Sequence, residues 1–150
     1  MPKIDKIISM KKIVVDSSII VKWINSQDEK NIAASNKLLE DCRNGIVQLF
    51  APELAKYEVG NALWKKGLNS EQSKISLKTV YAGPVEFVKL EESGALRIME
   101  ISDTNQMTYY DASFVELAES LNAILVTDNP KHQSKYKKIK VIPLVNYKKV

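Results

Sequence analysis

Ile13-Val14-Val15-Asp16-Ser17-Ser18-Ile19-Ile20-Val21 is the stretch whose reading decides the fold. Three β-branched residues in a row suit a buried strand. The acid that closes them stands where a strand hands over to a helix running to about Asn25. The same pattern recurs near the other end, where Ile124-Leu125-Val126-Thr127 is closed by Asp128. In an open α/β sheet, ligands bind outside the carboxyl ends of the strands. Asp16 and Asp128 are therefore placed to meet in one crevice.

The rest of the chain alternates in the same way. Ser26-Gln27-Asp28-Glu29 has capping-box spacing and predicts a helix to about Asn44, stopped by Gly45. Val47–Ala51 reads as a second strand, with Pro52 in the first turn of a helix that Gly67 ends. A longer helical stretch from Ser70 is expected to bend at Gly83-Pro84, where the ring removes a hydrogen bond. Leu96–Ile101 reads as a third strand, Thr108–Asn122 as a helix, and Val141–Leu144 as a last short strand. Strands alternating with helices predict a three-layer α/β/α sandwich around a central parallel sheet. The pattern leaves strand order open.

At 150 residues, with 45% hydrophobic and 27% charged, this is one ordinary globular domain. Residues 10–150 form it, because Met10-Lys11-Lys12 makes a natural start before the first strand. Met1–Ser9 is expected to be a dispensable, disordered extension or the product of a mis-set start codon. No apolar run reaches membrane-spanning length, and a lone Cys42 suits a reducing compartment, so cytoplasm is the expected location. The net charge of +4 is concentrated at one end: seven lysines and no acid follow Asp128. Without those seven, 15 of the 22 basic residues face 18 acids. A basic segment beside an acidic pocket suits a polyanion steered in by its backbone, although a solvated lysine face is an equal reading.

Two further acids join Asp16 and Asp128. Glu58 lies in mid-helix with Asn61 one turn on, on its face, where no cap is needed; a solvated stripe is the innocent alternative. Asp111 is followed at helical spacing by Phe114, Val115 and Ala118, so it sits on a face meant for burial. A carboxylate there is costly unless it is paired, hydrogen-bonded or bound to metal. Taken singly, Asp16, Asp111 and Asp128 (or Asn129, before Pro130) are each more simply helix caps. Together, the four acids without compensating cations call for a divalent ion, and all-oxygen ligation selects Mg²⁺ or Mn²⁺. Other chemistries lack residues. His132 is the only histidine, and the five glycines form no phosphate cradle. Ser17 and Ser18 stand where a receiver-type phosphoacceptor or a dehalogenase-like phosphatase would need a second acid. Trp23, Trp64 and Phe114 read as core rather than as base-stacking platforms.

The pieces Val14-Val15-Asp16-Ser17-Ser18, Pro52 through Trp64, Tyr110-Asp111-Ala112-Ser113 and Leu125-Val126-Thr127-Asp128-Asn129 resemble, in order and spacing, the PIN domain family. The resemblance is greatest to its small VapC-type toxins and covers nearly the whole chain from Met10. It implies a Mg²⁺- or Mn²⁺-dependent endoribonuclease acting on single-stranded RNA, a homodimer, and a small antitoxin partner. By position, Asp16, Glu58 and Asp111 match the family's first three acids, and Ser18 its small polar residue. The fourth acid departs: the family's Thr-x-Asp would put Asn129 at the acidic position and Asp128 one residue early. Either Asp128 substitutes or the site has lost a charge. The latter would suit a catalytically weak RNA-binding or scaffolding domain.

Overall fold

The computed structural model describes residues 10–148; the expectation about Met1–Ser9 lies outside them. The elements in chain order are β1 (Lys11–Val15), α1 (Ser17–Ile24), α2 (Ile32–Arg43), β2 (Val47–Pro52) and α3 (Leu54–Lys65). There follow α4 (Ser70–Ala82), β3 (Val85–Val88), α5 (Glu92–Asn105), α6 (Tyr109–Leu121), β4 (Ile124–Thr127) and β5 (Val141–Pro143). Short 3-10 turns occupy Gln133–Lys135 and Leu144–Asn146. The sheet is parallel throughout, in the order β3-β2-β1-β4-β5. Helices α1 to α4 pack with one another in one outer layer, and α5 packs on α6 in the other. This is the α/β/α sandwich read from the alternation.

The order explains the strand compositions. Central β1 has neighbours on both edges and helices on both faces, so Ile13, Val14 and Val15 are all fully buried. Chain order reverses between β1 and β4, whose register pairs Val14 with Leu125 and Val15 with Val126. The Asp16 N–H continues the ladder onto the Val126 carbonyl at 3.0 Å. Asp16 is thereby fixed at the topological switch point, where open α/β sheets hold their ligands.

Several expected boundaries are corrected. Leu96–Ile101 is not a strand but the middle of α5. Its buried residues, Ile98 and Ile101, are three apart, while Leu96 and Met99 face solvent. The third strand is Val85–Val88, because Gly83-Pro84 ends α4 outright instead of bending it. The helix expected from Ser26 starts only at Ile32, after left-handed backbone at Asp28 and Asn31. Pro52 ends β2 rather than opening α3. Among the described residues no α-helix follows Pro130, so Asn129 caps none; its N–H instead bonds Thr127 Oγ1 at 3.3 Å. Trp64 is 76% exposed and does not belong to the core, whereas Phe114 is buried within it. Trp23 lies between, its Nε1 donating to the Ser35 carbonyl at 2.7 Å.

The C-terminal segment is fastened by a buried polar contact. Tyr147 donates its hydroxyl to Asp41 Oδ2 at 2.6 Å, and Lys37 reaches Asp41 Oδ1 at 2.6 Å. Burial and the adjacent carboxylate push the Tyr147 phenol well above its ordinary value. Tyr147→Phe should cost about 1–3 kcal/mol in urea unfolding, because a buried charged acceptor loses a donor.

Candidate active site

Asp16 sits at the N-cap position of α1 with extended backbone, yet its side chain closes no cap hydrogen bond. Instead its Oδ2 accepts the Ser18 hydroxyl at 2.9 Å. The Ser18 backbone N–H also favours the ionised Asp16 carboxylate, so residue 18 serves it through both side chain and backbone. Glu58 comes from α3, beside the buried stripe Ala55, Val59 and Leu63 that seats the helix. Its Oε1 accepts the buried Ser17 hydroxyl at 2.8 Å. Two consecutive serines thus aim one acid each, Ser18 at Asp16 and Ser17 at Glu58. Asp111 arrives from the first turn of α6. Thr108 caps that helix by accepting the Asp111 N–H at 3.0 Å, one half of the capping box that the spacing suggests. The stripe beneath it is buried as expected, through Phe114, Val115 and Ala118.

The three carboxylates feel one another. Burial pushes the Asp16 carboxyl up from its ordinary value, Ser18 pulls it back, and the Asp111 charge pushes it up again. Glu58 is likewise raised, chiefly by burial, against the Ser17 hydrogen bond, with added repulsion from Asp16 and Asp111. Among the described residues, no lysine or arginine forms an ion pair with any of the three. Concentrated, uncompensated negative charge of this kind is an electrostatic site for a cation. The donors are all oxygen, which fits a hard divalent ion. Among the described residues, no three acidic, histidine or cysteine side chains are drawn together tightly enough to hold a metal by themselves. Mg²⁺ keeps several waters when bound, so a looser set of carboxylates still fits it.

Asp128 is placed differently. It lies just past β4, at the same end of the sheet, but its Oδ2 is ion-paired to Lys22 Nζ at 2.9 Å. Its Oδ1 accepts from Asn31 Nδ2 at 3.4 Å. Lys22 also binds Glu29 at 3.2 Å, and Glu29 binds Lys66 at 2.9 Å. The other carboxylates acting on Glu58 are Asp16 and Asp111, with Asp128 not among them. Asp16 and Asp111 thus act electrostatically on Glu58, while Asp128 shares the Lys22 ammonium with Glu29. Asn61 is exposed one turn beyond Glu58, and Asn129 is exposed beside Asp128.

Two contributors escaped the sequence reading. Lys22 is only 4% exposed although α1 is otherwise apolar after Ser18. Its spacing, one turn after Ser18 on the same face, was the available signal. Gln133 is 2% exposed and reaches the backbone of Asp111. It lies in the polar run Lys131-His132-Gln133-Ser134-Lys135, where nothing in the sequence separates it from its exposed neighbours.

Comparison with known proteins agrees with the fold. A curated relative, the exonuclease VapC9 of Pyrobaculum aerophilum, is 32% identical over 80 residues, covering 51% of this chain and 58% of that one. The chain thus aligns with less than two thirds of that relative's length. VapBC2 from Rickettsia felis, solved bound to a DNA fragment from its promoter, superposes with a TM-score of 0.67 at 17% identity. It covers 88% of this chain and 98% of that one. FitAcB from Neisseria gonorrhoeae gives a TM-score of 0.63 at 14% identity, covering 89% and 99%. The family model of the PIN domain matches residues 13–138, from the first buried strand residue to the basic stretch after β4. With the parallel sheet and the acids at its switch point, that match makes the chain a member of the PIN domain family.

Proposed function

We propose that this chain is a cytoplasmic, divalent-metal-dependent endoribonuclease, the toxin of a toxin–antitoxin pair. The observation that carries the reading is the coupled, uncompensated set Asp16, Glu58 and Asp111 at the carboxyl edge of β1. Likeness to an exonuclease, VapC9, supports nuclease chemistry, and likeness to VapBC2 and FitAcB supports a small antitoxin partner.

In this reading Asp16 and Asp111 hold Mg²⁺ or Mn²⁺, directly or through water, with Ser18 fixing the Asp16 carboxylate. When bound, the ion would supply Lewis acidity, which would acidify water and stabilise negative charge at the phosphodiester. Glu58, aimed by Ser17, orients the attacking water and takes its proton. The exposed Lys131, Lys137, Lys138 and Lys140 hold flanking phosphates without reading sequence. Asp128 anchors Lys22 beside the site in this arrangement, in place of the ligand role the sequence suggested.

The test is cleavage of a single-stranded RNA with and without Mn²⁺. Cleavage should need the ion, stop with chelator, and be absent in the Glu58→Gln protein. RNA binding with no cleavage at any Mn²⁺ concentration would favour the scaffolding alternative, and chelator-resistant cleavage would overturn the metal dependence.

A homodimer belongs to the same proposal. Its support is the surface between Gly67 and Gly94, where Ile75, Tyr81 and Leu90 remain exposed beside edge strand β3. Light scattering at micromolar concentration should give twice the mass of the 16.9 kDa chain, and a monomer would remove this part.

A further inference from the structure

The proposed chemistry uses Asp128 only as an anchor for Lys22 and gives the buried ammonium itself no role. The Lys22 side chain is 1% exposed, and its Nζ lies 2.9 Å from Asp128 Oδ2 and 3.2 Å from Glu29 Oε1. Glu29 is held in turn by Lys66 Nζ at 2.9 Å, which also donates to the Asn25 carbonyl at 3.3 Å. Two ammonium groups thus face two carboxylates, and the charges of this network cancel. Both the helix and the sheet set it beside the acids of the site. On α1, Ser18 holds Asp16 and stands one turn before Lys22 on the same face. In the sheet, the Asp16 N–H bonds the Val126 carbonyl at 3.0 Å, and Asp128 follows just past the same strand.

A divalent ion could join Asp128 here only at a cost. It would stand across the same carboxylate from the Lys22 ammonium, and like charges so close repel strongly away from bulk water. Displacing the ammonium is no easier. Released from Asp128, it would stay buried with Glu29 as its ion-pair partner, and a buried charge that loses a partner is costly. Asp16, Glu58 and Asp111 form no ion pair of this kind among the described residues and stay open to a cation.

We propose that Lys22 is a built-in cation that keeps Asp128 from a second divalent ion, so that the site takes a single ion, on Asp16, Glu58 and Asp111. The inference rests on the metal-dependent reading above and fixes a stoichiometry which that reading leaves open.

The experiment titrates Mn²⁺ into the full chain and counts bound ions from the electron paramagnetic resonance signal of the free ion. Wild type should bind a single ion tightly, and Asp16→Asn should lose it. Lys22→Met, checked for native circular dichroism, frees Asp128 and should bind a second, weaker ion. Adding Asp128→Asn to Lys22→Met should remove that second ion. A wild type that binds two ions, one of which Asp128→Asn loses, would overturn the inference and leave the nuclease reading standing. A folded Lys22→Met chain that still binds a single ion would overturn it as well. A wild-type readout covers the case in which Lys22→Met does not fold. The Lys22 ammonium, shielded from water, should give a side-chain nitrogen signal by nuclear magnetic resonance, and saturating Mg²⁺ should leave that signal in place. A signal missing from the start, or lost on adding Mg²⁺, would show Asp128 free for the ion and overturn the inference. A wild type that binds no Mn²⁺ would sink the metal reading and this inference with it.

Discussion

Asp16→Asn should abolish RNA cleavage, by roughly 10³-fold or more, and at the same time stabilise the metal-free protein. The first effect follows from removing a charged ligand from a site expected to supply several kcal/mol of charge stabilisation in the transition state. The second follows from the sign of the carboxyl shift. Burial, and repulsion from Asp111, raise the Asp16 carboxyl above its ordinary value in the folded chain. Its ionised form is thus disfavoured by folding. That penalty is absent below the unfolded carboxyl value, grows as pH rises, and is complete above the folded value. Glu58 is shifted in the same direction and adds to it. The metal-free wild type should therefore melt lower at pH 7 than at mildly acidic pH, as far as these groups are concerned. Asp16→Asn should narrow that gap, with about 2–4 °C in melting temperature for each kcal/mol of repulsion removed. Added Mn²⁺ should raise the wild-type melting temperature and leave the variant nearly unmoved. A variant that melted lower than wild type without metal would mean Asp16 is a structural acid.

Lys22→Met should give the largest loss of stability among single changes around the site. The ammonium is almost wholly buried between Glu29 and Asp128, which are themselves only partly exposed. Removing one member of a buried pair costs about 3–5 kcal/mol. Water can reach both carboxylates here, and Glu29 keeps Lys66, so about 2–3 kcal/mol is expected by urea unfolding. Adding Asp128→Asn to Lys22→Met should recover part of that loss, a coupling that a double-mutant cycle measures directly. Asp128→Asn alone should leave Mn²⁺ affinity within about twofold, since its charge is matched by Lys22 and not shared with the site. A large drop in affinity would restore Asp128 to the acidic ring.

The parts of the molecule that could be read in the sequence are those set by local pattern. Ile13–Val15 and Ile124–Thr127 announce buried strands by β-branching and continuity, and the helix after Thr108 is framed by its cap. The three acids proposed for the site stood out in the sequence because each breaks a local rule: Asp16 ends a buried run, Glu58 has no cap to make, and Asp111 lies on an apolar face. Where tertiary contacts override local signals, the reading failed. Leu96–Ile101 carries apolar residues at spacings that serve strand and helix alike, and only packing of α5 on α6 decides it. Trp64 follows the apolar pattern of α3 but lies on the flank that the sheet does not cover. The Lys22–Asp128 pair spans most of the chain and could not be seen without the sheet order that brings α1 to the end of β4.

The most direct test of the account is a Mn²⁺ soak of crystals with anomalous diffraction measured at the manganese edge. The expected result is a peak between the carboxylates of Asp16 and Asp111, with Glu58 facing it, directly or through water. A peak at Asp128 alone, or none among Asp16, Glu58 and Asp111 at saturating Mn²⁺, would contradict it.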